Sequence, residues 1–77
     1  MKSLEAHDQF DAPETIDFLV RRKAPKTKPN KDEAPNVGER VKINGNAYEV
    51  NRVRFLHDSV AAPYWPEIII TVKRPLA

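Results

Sequence analysis

The stretch Val41-Lys42-Ile43-Asn44-Gly45-Asn46-Ala47-Tyr48-Glu49-Val50 decides the fold class of this chain. Apolar and polar residues alternate on both sides of its centre, with Val41 and Ile43 before the Asn-Gly-Asn triplet and Tyr48 and Val50 after it. Period-two alternation places one set of side chains on one face of an extended chain, and an Asn-Gly pair accepts the positive φ angles of a tight hairpin turn. A type I′ turn on Asn44-Gly45 sets Val41 opposite Tyr48. A turn centred on Gly45-Asn46 sets Ile43 opposite Tyr48 instead. The two registers differ by two residues, so both bury the same four side chains.

Toward the C-terminus the alternation changes parity, because Val53 and Phe55 are out of step with Tyr48 and Val50. A β-bulge near Asn51 to Arg52 restores a single apolar face and bends the strand, as small barrels require. Leu56 to Pro66 reads as a loop ending in Ala-Ala-Pro-Tyr-Trp-Pro. The run Glu67 to Lys73 (EIIITVK) is the clearest strand, with Ile68, Ile70 and Val72 on one face and Ile69 and Thr71 on the other. Pro75 has no N–H to give a ladder and is expected to end it.

Toward the N-terminus, Arg21 to Asn36 contains three prolines and no large apolar residue. It cannot offset its ordering entropy by burial, and is expected to be extended or disordered in the free chain. The boundary near Asn36 to Gly38 divides the chain into an N-terminal arm, residues 1–36, and a small β domain, residues 37–77. Within the arm, residues 11–22 carry two competing signals. Asp11-Ala12-Pro13-Glu14 resembles a capping box with proline in the first turn, and Arg21, Arg22 and Lys23 suit a helix C-terminus. Ile16, Phe18 and Val20 alternate in a β-branched and aromatic run that suits an added strand. Agreement of cap and charge at both ends favours a short helix.

The chain has 77 residues and no cysteine, so it forms one small core with neither disulfide nor thiolate metal site to reinforce it. No apolar run reaches the roughly 20 residues that span a bilayer, and Met1 to Phe10 lacks the apolar stretch of a secretory signal. The expectation is a soluble protein of the cytoplasm or of a virion, without contact to membrane. The formal charge of +2 conceals a segregation. Glu5, Asp8, Asp11, Glu14 and Asp17 face only Lys2 in the first twenty positions, whereas Arg21, Arg22, Lys23, Lys26, Lys28 and Lys31 follow with no acid between them.

The expected core draws on Val41, Ile43, Tyr48, Val50, Val53, Phe55, Leu56, Trp65, Ile68, Ile70 and Val72. Three strands of this size are marginal alone. Additional burial has three sources: docking of Ile16, Phe18 and Val20 on the sheet, self-association, or incorporation in a larger assembly. The basic run reads as a phosphate-neutralising segment or as a solvated linker that pairs with acidic protein surfaces; it has no interleaved aromatics to stack on bases. Pro63-Tyr64-Trp65-Pro66 offers two aromatics on a stiff loop. Trp65 is expected to plug the barrel end, which leaves Tyr64 as the contact residue.

Signals for catalysis are poor. His57-Asp58-Ser59 are neighbours in sequence, whereas triads assemble from separated segments. His7 and His57 are not at metal-ligand spacing, and Gly38 and Gly45, the two glycines, make no phosphate loop. So small a core encloses no substrate pocket. The expectation is therefore no enzyme, no cofactor, no metal and no small-molecule substrate.

Val41 to Val50, followed by a loop and the terminal IIITVKRP strand, resembles small β-barrel proteins of tailed bacteriophage particles: head-closure, joining and capsid-stabilising proteins. The likeness covers the last half of the chain and implies a structural virion component. The expected fold is mainly β, a small SH3-like or partly open barrel or three-stranded meander behind an extended arm. Expected contacts with protein partners are Ile16, Phe18 and Val20 by apolar docking, Arg21, Arg22, Lys23, Lys26 and Lys28 by charge, and Tyr64 at a loop tip. The rival function is nucleic-acid binding by the basic run with Arg52 and Arg54, and a third is inhibition of a macromolecular target.

Overall fold

A computed structural model describes residues 2–23, 31–58 and 64–74, and among them the chain is mainly β. Six strands form one curled half-barrel sheet: β1 (Lys2–Leu4), β2 (Ala6–Asp11), β3 (Thr15–Arg21), β4 (Arg40–Ile43), β5 (Asn46–Asp58) and β6 (Tyr64–Lys73). Their lateral order is β1-β4-β5-β6-β3-β2. A 3₁₀ turn at Lys31–Glu33 is the one helical element among the described residues. All pairings are antiparallel except β1 with β4.

The hairpin takes the type I′ register. Asn44 and Gly45 have φ angles of 53° and 87°, and Val41 lies opposite Tyr48. Val41, Ile43 and Val50 are buried, and Tyr48 packs beside them. The β5–β6 ladder slips between Val50 and Arg52, which is the bulge that the change of parity requires. Beyond it Val53 and Phe55 turn inward opposite Ile70 and Ile68. Leu56 points outward at 37 % exposure, a correction to its place in the expected core. The expected loop from Leu56 to Pro66 is also shorter than its sequence implies. Strand β5 runs to Asp58 and β6 begins at Tyr64, so His57 and Asp58 lie in a strand, and residues 59–63 lie outside the described part.

Residues 11–22 form no helix. Asp11 ends β2, the chain reverses with the Ala12 N–H bonded to the Thr15 carbonyl at 2.8 Å, and Thr15–Arg21 is a strand. The expected cap is thus a hairpin loop, held by Arg74, whose Nε donates to the Ala12 carbonyl at 2.7 Å. Strand wins over helix because alternation buries Ile16, Phe18 and Val20 together opposite Val72, Ile70 and Ile68 of β6. A helix would spread those three side chains around its axis.

The curl is visible in the core. Strand β6 separates β3 from β5, yet the Phe18 and Tyr48 rings meet at a centroid distance of 5.2 Å and an interplanar angle of 51°. Only a concave inner face brings side chains of non-neighbouring strands together. The sheet's two edge strands are consecutive in sequence, joined at Glu5. Lys2 to Asp11 is therefore one extended segment that changes partner midway, from β4 to β3.

A candidate binding groove at the strand switch

The change of partner opens the sheet at one place. Pairing of β2 with β3 stops at Ala6 and Val20, while β1 crosses to β4, so β1 and the end of β3 diverge. A groove of about 1130 Å³ lies there, with β1 along it and Val20 to Lys23 on another wall. Asn44 fixes the crossing. Its N–H donates to the Leu4 carbonyl at 3.0 Å, its Oδ1 accepts from the Ala6 N–H at 3.0 Å, and its Nδ2 donates to the Ala6 carbonyl at 3.4 Å. One residue thus makes the hairpin turn and pins the strand switch.

Below the groove the half-barrel is closed by Arg22. Its side chain is fully buried, and its guanidinium bonds the Glu33 carboxylate through Nε at 2.5 Å and Nη2 at 2.7 Å. A two-point fork of this kind fits a carboxylate as no ammonium can. Ala34 and Pro35 are buried just after it. The Lys2 ammonium donates to the Asp32 carbonyl at 3.2 Å and reaches that of Ala34 at 3.4 Å, which ties β1 to the same cap. The segment after Arg21 is therefore anchored at both ends, a correction to the expectation of an extended linker throughout. Residues 24–30 lie outside the described part.

The expected contact residues are sorted by this geometry. Ile16, Phe18 and Val20 are core residues at 7 %, 2 % and 7 % exposure, so they complete the chain's own sheet rather than offer a docking face. Arg22 is committed to Glu33. Arg21 and Lys23 are exposed and line the groove. Lys26 and Lys28 lie outside the described residues. Tyr64 opens β6 opposite Asp58, and its side chain and that of Trp65 lie outside the described part. Sequence patterning missed Lys2, Leu4 and Lys42, which the parallel pairing of β1 with β4 brings to the groove. The β1 run of three residues is too short to show a period.

The groove is open, and none of the described residues that line it is aromatic. No group of three or more His, Cys, Asp or Glu that could hold a metal occurs among the described residues. No helix among them is long and apolar enough to cross a membrane. Comparison with family models, curated proteins and solved structures finds no match to this chain.

Proposed function

We propose that this protein is a non-enzymatic assembly module that docks on a larger complex. The observation that carries this reading is the incomplete sheet, with an edge on β1 and on β2 that has no partner strand among the described residues and an open groove where the two diverge. Unpaired edges are templates for strands of other chains, and proteins that stay alone blunt or cover them. In its sharpest form the assembly is a tailed-phage particle, as the resemblance of the hairpin and terminal strand implies.

The test is the size of the complex that holds the chain where it is naturally made. Gel filtration of a native extract, followed by immunodetection, is expected to place it far above the 8.8 kDa of the free chain. Elution as the free chain throughout growth would sink the reading.

Nucleic-acid binding is the second reading, favoured by Arg40, Lys42 and Arg52, exposed on the outward face of β4 and β5, with Arg54 beside them. Arg54 is partly neutralised by Asp17 at 3.6 Å, and Arg40 lies opposite Glu49. Affinity for DNA that falls steeply with salt and is lost in Arg40→Ala/Arg52→Ala would establish it in place of the first.

A further inference from the structure

We infer that the groove at the strand switch takes an extended acidic segment of a protein partner, one in which acidic residues alternate with small apolar ones. This rests on the assembly reading and adds the chemistry of what is bound. Three features of the groove converge on that occupant.

The first is backbone geometry. Strand β1 pairs with β4 on one side, and its other edge has no partner strand among the described residues, which leaves alternate N–H and C=O groups for an added strand. The second is charge. Lys2, Arg21, Lys23 and Lys42 line the groove against Glu5 and Asp32, and the Arg22–Glu33 pair cancels itself. Among the described lining residues the balance is two positive charges, which disfavours a basic segment and attracts an acidic one. The third is the apolar lining. Half-buried Leu4 and Ala6 contribute apolar surface between the cations, with the core residues Val20 and Ile68 beneath. A strand presents successive side chains to opposite sides, so acidic residues facing the cations and small apolar residues facing this surface form a period-two sequence.

Two other occupants fit less well. Single-stranded nucleic acid gains much of its affinity by stacking on aromatic side chains, and the described residues of the lining include none. A second copy pairing edge to edge through β2 in the register that opposes Asp8 to Asp11 would set like charges against each other, which costs stability. The Asp8 carboxylate also accepts from the Gln9 N–H at 2.9 Å, which uses a backbone donor on that strand.

The experiment uses the full chain, ¹⁵N-labelled, and a synthetic peptide of alternating glutamate and valine about ten residues long, ~33 Å when extended. A lysine–valine peptide of equal length and an oligothymidylate are the comparison probes. The glutamate–valine peptide is expected to shift the amides of Ser3 to Ala6 and Arg21 to Lys23, and to slow hydrogen exchange in β1. Reversing two exposed charges, Arg21→Glu with Lys23→Glu, is expected to weaken binding by about tenfold or more while leaving the amide spectrum dispersed.

Absence of any shift at millimolar peptide, or shifts confined to β5 and β6, would overturn the inference. So would tighter binding of the oligothymidylate at the same residues, or concentration-dependent dimerisation through β1 without peptide. If the chain still elutes with a large complex in any of these cases, the assembly reading stands and only the groove's occupant is wrong.

Discussion

The β4–β5 hairpin and the N-terminal segment β1–β3 enter one sheet by opposite kinds of contact. In the hairpin every partner is close in sequence: Ile43 meets Asn46 across the turn, and Val41 meets Tyr48. Strand β3 instead takes a full ladder from β6, with Asp17 and Thr71 bonded across 54 residues, and β1 reaches forward to β4. The hairpin can begin from its own turn chemistry. Apart from the local β2–β3 hairpin, the N-terminal strands gain their sheet partners only when a long loop has closed. Local signals are therefore weakest where the tertiary contacts carry most, and substitutions in β3 and its cap should be felt throughout the molecule.

The strongest way to break this contrast is Phe18→Ala. Phe18 is 2 % exposed and contacts Tyr48 across the concave face, so its removal is expected to cost about 3–5 kcal/mol in urea unfolding followed by circular dichroism. Were the N-terminal strands an appendage, amide protection in β4 to β6 would survive the substitution. A shared core predicts that protection falls in all six strands together.

Arg22→Ala comes next. It leaves the Glu33 carboxylate without its fork, and removal of one partner from a buried pair costs about 3 kcal/mol or more, the lower end applying because Glu33 keeps some water contact. Arg22→Lys retains the charge without the two-point geometry and should fall between wild type and alanine. Equal stability of all three proteins would show that the cap holds without this ion pair.

Residues around these sites differ in how far they could be read beforehand. The hairpin's buried face and the bulge at Val50/Arg52 were legible because each follows from neighbouring residues, alternation about a turn in one case and a change of parity in the other, whereas the choice between two registers came only with the fold. The same parity places Leu56 outward, so counting it as core set its hydrophobicity above its phase. The helix expected over residues 11–22 failed for a different reason. Asp11, Pro13 and Glu14 suit a helix start and a hairpin loop equally, and the buried partner that decides between them, β6, lies at the other end of the chain. Arg22 was indistinguishable from Arg21 and Lys23 in sequence. Glu33, which sets the buried cation apart from the two exposed ones, lies 11 residues on and beyond two prolines. The groove was illegible as a whole, since it exists only where β1 leaves β3 for β4.

The smallest expected effects fall on the turn that links the two regions, and they separate its two roles. Gly45→Ala meets no atom within 4 Å, so its cost arises from the backbone at φ +87° and should be about 1 kcal/mol. Asn44→Gly keeps a residue that accepts the φ of 53° but removes both side-chain bonds to Ala6. Those bonds are exposed, so the net loss should be about 0.5–1 kcal/mol or less. Hydrogen exchange tells the variants apart. Gly45→Ala should loosen the hairpin amides first, whereas Asn44→Gly should accelerate exchange at Ala6 while Tyr48 and Glu49 stay protected. If Ala6 exchanges at its original rate in Asn44→Gly, the parallel pairing of β1 is sufficient to hold the strand switch. The hairpin and the N-terminal segment would then be coupled through the core alone.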